Sequence, residues 1–243
     1  MPSAEAEIAR ARLLPLAPAG FEEIDVGTDV ELAVYVDVEG EVRVRAEFGD
    51  ARATSVEPGW EERWRAFHRP VRVAGLWIGP PWEKPPPDEP TVVVDPGRAF
   101  GTGAHPTTRA CIELLAGAAR GSVLDAGCGS GVLAVAAARL GFGPVYAVDD
   151  DPLAVQAAER TATENGVHVN VSAADVLLDP LPRVDLLVAN IELRGVEALL
   201  VRAPAPAAIT SGYLAREMPA SATFGHVERL EVEGWAADRF RAI

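Results

Sequence analysis

A chain of 243 residues that is 49% hydrophobic can hold one large domain, or an α/β domain with a small appendage, and is too apolar to be disordered. Its formal net charge of −14 argues against a broad basic footprint for nucleic acid, and suits either plain solubility or a positively charged protein partner. Four scattered histidines without zinc-type spacing predict no metal site, and two cysteines with no CxxC pairing fit a reducing compartment.

The opening MPSAEAEIAR has neither the basic region nor the apolar core of a signal peptide, and no apolar run reaches the length of a membrane span, so a soluble, cytoplasmic setting is expected. Residues 3–16 fit a short amphipathic helix. Two alternating segments, VELAVYVDV (30–38) and EVRVRAEF (41–48), meet at Glu39-Gly40 and predict a hairpin. In GWEERWRAFHRP (59–70), Trp60, Trp64 and Phe67 fall on one face of a helix that Pro70 ends, and read as a seam between domains. PPWEKPPPDEP (80–90) predicts a semi-rigid polyproline spacer. The expected division is therefore a small α+β module over 1–58, a helix with a proline-rich linker over 59–95, and a larger domain over 96–243.

From residue 91 onward strands and helices alternate. TVVVD (91–95), SVLDAG (122–127), PVYAVDD (144–150), VHVNVSAAD (167–175), VDLLVAN (184–190) and AAITSG (207–212) read as strands. TTRACIELLAGAA (107–119), GVLAVAAARLG (131–141) and PLAVQAAERTATENG (152–166) read as helices, the last with Asp151 as N-cap and Pro152 at its first position. The pattern predicts an α/β fold, a doubly wound Rossmann-like sheet covered on both faces, and the tail RLEVEGWAADRF predicts a closing antiparallel hairpin.

Chemistry concentrates at VLDAGCGSG, a strand running straight into a helix. Gly127, Gly129 and Gly131 permit a sharp turn and close approach of a ligand to the backbone, and Asp149, at the end of the next strand, suits a ribose diol. Val132 stands where a dinucleotide fingerprint needs its third glycine. Asp125, at the entry to the loop, would repel a pyrophosphate and attract a cation. Together these favour S-adenosylmethionine, with its sulfonium and ammonium, over NAD as the ligand. Asp175, closing the following strand, is either an acceptor for the adenine amine or a helix N-cap or solvated loop acid. Cys128 reads as a small spacer.

A second glycine turn, AFGTGAHPTT (99–108), precedes the first. In order and spacing, DPGRAFGTGAHPTTRACIELL, VLDAGCGSGVLAVAAARLGFG, VDDDPLAVQAAERTATENGV and DLLVANI resemble the bacterial ribosomal protein methyltransferases of the PrmA family, over about residues 59–195. The resemblance implies a class I methyltransferase that uses S-adenosylmethionine to methylate lysine and N-terminal amines of a basic ribosomal protein, the eleventh of the large subunit, at the stalk base, with no membrane or direct nucleic-acid partner. It further implies that the N-terminal module recognises that protein. The first turn would lie against the methionine end of the donor, with Thr108 touching it, Phe100 excluding solvent, and Thr107 or Thr108 capping the next helix. Gly127, Asp149 and Asn190 are carried over as donor contacts, with Asn190 also placed to accept from the incoming amine. His105 is a conceivable base beside water.

The chain departs from the family pattern in two places. The segment from Leu199 to Ser211 is shorter than usual, and the N-terminal module looks abbreviated. The absence of an NPPY-type aromatic after Asn190 favours an amine acceptor. A class I methyltransferase for another protein or a small amine, and a binding module without turnover, are the other readings.

Overall fold

The computed structural model describes residues 68–95 and 103–243 continuously and, before them, residues 9, 12–13, 16, 22–26, 29–34, 36, 38–49 and 51–54. The chain divides into two compact units, Met1–Glu61 and Glu62–Ile243.

In the smaller unit, β1 (Glu22–Val26) and β2 (Asp29–Ala33) pair antiparallel, and α1 spans Val38–Glu47. The expected hairpin over 30–48 is thus corrected: its first half contains a strand and its second half is a helix. Alternation of Val42 and Val44 suggested a strand, but in the structure Val42 is exposed and Val44 buried. The same residues carry a helical repeat. Gly40 and Val44 share the buried face, and Glu41 bonds Arg45 one turn on at 2.8 Å. Val44 and Leu13 pack with Leu16, Leu32, Val34, Phe48 and Ala51. The expected helix over 59–70 and most of the one over 3–16 lie outside the described residues.

The larger unit begins, among described residues, with a three-stranded sheet: β3 (Val71–Val73), β4 (Leu76–Gly79) and β5 (Thr91–Val93), with β3–β4 antiparallel and β4–β5 parallel. The proline-rich segment therefore does not separate two modules. It is the return loop from β4 to β5, held where Trp77 N donates to Pro90 O (2.9 Å) and Arg72 grips Glu89 with two bonds (2.8 and 3.1 Å). The small sheet belongs to the main core, because Val73, Leu76, Ile78, Val92 and Val94 pack with the helices that follow. Asn165 ties it down: its Oδ1 accepts from Val93 N and its Nδ2 donates to Val93 O, both at 2.7 Å, in the manner of a neighbouring strand.

The remaining elements are α2 (Pro106–Ala116), β6 (Val123–Ala126), α3 (Val132–Arg139), β7 (Val145–Asp149), α4 (Pro152–Glu164), β8 (Asn170–Ala173), β9 (Leu186–Asn190), α5 (Leu193–Arg202), β10 (Ala207–Leu214), β11 (Phe224–Val232) and β12 (Trp235–Ala242). They build the predicted α/β sheet in the order β11-β12-β10-β9-β6-β7-β8, parallel from β10 to β8, with β12 and β11 added antiparallel. Period two sorts the strands. Val123, Leu186 and Val188 face α2, α3 and α4, while Leu124, Leu187 and Ala189 face α5. The central strands β6 and β9 are buried on both faces and mostly apolar, with Asp125 the buried polar exception, whereas the edge strand β8 is largely exposed. The closing hairpin turns at Glu233-Gly234, both at positive φ (51° and 84°), the backbone of a two-residue turn that follows strand twist. Asp238 on β12 is wholly buried. Arg229, Tyr213 and His226 all donate to its carboxylate at 2.7–2.9 Å, and the Arg229 and Tyr213 bonds help hold it below the usual carboxylate range against the cost of burial.

Candidate ligand-binding site

The carboxyl ends of β6, β7, β8 and β9 open onto a cavity of about 400 Å³, within the range of small-molecule sites. It sits where open α/β sheets collect ligands: β6 continues to β7 on one side while β9 lies on the other. Thr108, Gly127, Gly129, Asp149, Asp175 and Asn190 line it, six of the residues expected from sequence.

The glycine loop is strung between two strands. Gly127 N and Cys128 N both donate to Val148 O of β7 (2.9 and 3.0 Å), which forces Gly127 to φ 71°. A Cβ there would strike Ile191 at 2.6 Å, so only glycine fits. Asp149 fastens the same loop from outside: its Oδ2 accepts from Gly129 N (2.9 Å) and its Oδ1 from Asp151 N (3.0 Å). Each oxygen keeps a lone pair, and the side chain is only half-buried, which suits a diol. Asp151 caps α4 by accepting from Leu153 N at 2.8 Å. No helix follows Asp175; its Oδ1 accepts from Leu177 N (2.7 Å) and caps a turn, and the residue lines the cavity.

Three expectations are corrected. Gly131 stands at the α3 N-terminus with φ 77°, but it does not line the cavity; its missing Cβ would lie 2.8 Å from Ala158 Cα, so it serves the packing of α3 on α4. Asp125 is not a charge at the mouth of the loop. It is buried under α3, where its Oδ2 accepts from Ala134 N (3.0 Å), and burial pushes its carboxyl up to about 8, with the Asp149 charge adding to the rise against the pull of the Ala134 amide. Among the described residues, the acids at the cavity are Asp149, Asp150 and Asp175. Finally, neither threonine caps α2. His105 does, its Nδ1 accepting from Thr107 N at 3.4 Å and bonding Thr107 Oγ1 at 2.7 Å.

Thr107 is buried behind Thr108, and Asn190 Nδ2 donates to Thr107 Oγ1 (3.1 Å) and reaches Thr108 Oγ1 at 3.5 Å. Phe100 lies outside the described residues. Two buried side-chain oxygens have no hydrogen-bond partner among the described residues, Asp125 Oδ1 and Asn190 Oδ1. An unpaired buried acceptor costs about 1–3 kcal/mol, and Asn190 lines the cavity, so a ligand with N–H donors would satisfy it. Acids suited to a diol, an open amide acceptor and, among the described residues, no lysine or arginine on the wall fit a sulfonium nucleoside with an amino-acid tail.

Sequence reasoning did not find Val132, Leu133, Val176, Leu177 or Ile191, which supply the apolar walls. Their residue types carry no chemical signal; the first turn of α3, the turn after β8 and the one after β9 bring them to the cavity.

A family model described as "Ribosomal protein L11 methyltransferase (PrmA)" matches residues 31–237. Curated relatives bearing the name ribosomal protein L11 methyltransferase include one from Legionella pneumophila, 38% identical over 203 residues (75% of this chain, 69% of that one), and one from Dechloromonas aromatica, 48% identical over 139 residues (56% and 46%). A third, from Nitrosococcus oceani, is 43% identical over 141 residues (56% and 48%). This chain thus spans about half the length of two of these relatives. Among solved structures, a "ribosomal protein L11 methylase" from Lactobacillus delbrueckii subsp. bulgaricus matches with a TM-score of 0.60 at 28% identity, covering 69% of this chain and 95% of that one.

Proposed function

Since the chain belongs to the ribosomal protein L11 methyltransferase (PrmA) family, we propose that it moves the methyl group of S-adenosylmethionine onto amines, lysine side chains and the N-terminal amine, of ribosomal protein L11. The observation that carries this reading is Asn190 Oδ1, a buried acceptor with no hydrogen-bond partner among the described residues, on a residue of the cavity wall. Thr107 holds the amide nitrogen, so the oxygen is the end offered to an incoming amine N–H. That bond aims the amine's lone pair, and alignment of this kind supplies much of the rate in an in-line displacement.

Bound here, S-adenosylmethionine supplies an electrophilic methyl group on a positively charged sulfur. Asp149 would take the ribose hydroxyls on the lone pairs left by Gly129 and Asp151, and Asp175 Oδ2 the adenine amine. Leu133, Val176, Leu177 and Ile191 would enclose the ring and exclude water. The acceptor lysine must arrive without its proton, against a free pKa of about 10.4. His105 Nδ1 is committed to Thr107, so the proton goes to water rather than to the imidazole.

The test is direct. Incubation with methyl-labelled donor and a mixture of purified ribosomal proteins should label L11 in preference to other basic proteins of similar size. Label on another protein or on a small amine alone would remove the ribosomal assignment and keep the chemistry; no transfer, with donor binding intact by calorimetry, would leave a binding module.

A further inference from the structure

The bonds around Thr107 have a fixed direction. His105 Nδ1 accepts from Thr107 N, so this nitrogen carries a lone pair and not a proton. The Thr107 Oγ1 contact to the same nitrogen, 2.7 Å, must then run from hydroxyl to ring. With its proton spent, Thr107 Oγ1 is left as an acceptor, and the group that meets it at 3.1 Å is the Asn190 amide nitrogen. An asparagine side chain can rotate to exchange its oxygen and nitrogen; its second contact, Nδ2 to Thr108 Oγ1 at 3.5 Å, does not distinguish the two ends, because that hydroxyl can donate as well as accept. Its Oδ1 has no partner.

We infer that His105 is a positioning residue: acting through the Thr107 hydroxyl, it determines that Asn190 presents its oxygen, and not its NH₂, to the incoming amine. This rests on the methyl-transfer reading above. A donor turned toward the acceptor nitrogen would compete for the lone pair that must attack, so the orientation matters for turnover more than for donor binding.

The ring is itself held in place. Trp235, at the start of β12, meets it edge-on with centroids 5.0 Å apart, and one turn along α2 Arg109 bonds Glu233 of the hairpin turn at 2.7 Å. Among the described residues, the charged groups facing His105 are Arg109, from its own helix, and Glu233, from the hairpin. Desolvation lowers the imidazole below its usual 6.5, Arg109 lowers it further, and Glu233 opposes both. Protonation would turn Nδ1 into a donor, deprive Thr107 N of its acceptor and drive the hydroxyl proton elsewhere. The relay then loses its direction, and turnover should fall on the acid side of pH 6.5.

The experiment compares His105→Ala, His105→Asn, Thr107→Val and the double variant H105A/T107V. An asparagine at a helix N-cap offers an oxygen acceptor in place of Nδ1. His105→Ala should lower kcat at pH 8 about tenfold with donor affinity changed less than about threefold, and His105→Asn should recover most of that loss and lack the wild-type acid limb. Thr107→Val, which keeps the shape of the side chain, should match His105→Ala, and the double variant should be no worse than either single one. Additive losses, or a His105→Asn no better than alanine, would overturn the inference and make the ring a direct proton acceptor. Nitrogen-15 NMR separates this from failure of the methyl-transfer reading. The Asn190 side-chain amide should shift in His105→Ala and Thr107→Val but hold its wild-type position in His105→Asn, whether or not any substrate is methylated. Wild-type amide signals in all three variants would equally refute the relay.

Discussion

Two aspartates twenty-four residues apart in the sequence play opposite parts, and burial is what separates them. Asp149 is half-exposed and holds the glycine loop with one oxygen and its own turn with the other. Replacing it with alanine should weaken donor binding at least tenfold in calorimetry, since two loop amides and the ribose lose their acceptor together. Asp125 is buried with its carboxyl pushed up to about 8. In the unfolded chain it titrates near 3.9. Between these values the folded chain keeps a proton that the unfolded chain has released, so this group's share of stability is fully present below about pH 4 and is lost as pH rises to about 8. Asp125→Asn removes that slope. Urea unfolding should show the variant gaining about 2–4 kcal/mol on wild type between pH 5 and pH 8; parallel curves would mean the carboxylate is charged in its buried seat. The mistaken place for Asp125 was readable in principle. Residues 123–126 alternate, and Asp125 shares its face with Val123, the face that α3 covers.

At the level of elements, what could be read from the sequence was whatever is decided locally. The cap of α4 by Asp151, the proline at its first turn and the glycines at 127–131 are properties of a few adjacent residues, and they stand where expected. The stretch 38–47 was misread because alternating valines and charges satisfy both a period of two and an i,i+4 pattern, and the tertiary packing of Val44 with Leu13 chose the helix. α5 was passed over although it was legible: Val196, Leu199 and Leu200 recur at i, i+3 and i+4, the stripe of an amphipathic helix, and they bury against Leu187 and Ala208 of the sheet. Gly131 was assigned to the ligand because sequence shows that a Cβ is unwelcome without showing what would meet it. Gly131→Ala should cost about 1–2 kcal/mol for its left-handed backbone and about 1–3 kcal/mol more for displacing α4. It should lower the thermal midpoint markedly while leaving donor affinity close to wild type once the protein is folded.

For the molecule as a whole, alternation of strands and helices was enough to predict a doubly wound sheet closed by an antiparallel hairpin, but not the order of its strands, which is fixed by which crossover goes to which side. The proline-rich segment misled because composition reports stiffness and not destination. A stiff loop can return a chain to a parallel neighbour as well as hold two bodies apart, and here β4 and β5 close around it. The net charge of −14 belongs to this scale too. If a basic ribosomal protein is the substrate, raising salt from 50 to 300 mM should increase its KM several-fold, since attraction between exposed charges is screened over about 10 Å at 0.1 M, while kcat at saturation stays near its low-salt value. An unchanged KM would indicate that the acidity serves solubility alone.

The brace between Arg109 and Glu233 joins residues 124 positions apart. As the polypeptide leaves the ribosome, the glycine loop, Asp149 and Asn190 are all available well before the turn at Glu233-Gly234 has been made. A nascent chain can therefore form the walls of its pocket early, but it gains the support for His105 only when β11 and β12 have folded back. Competence for turnover would arrive as one late step in biosynthesis, after the capacity to hold the donor.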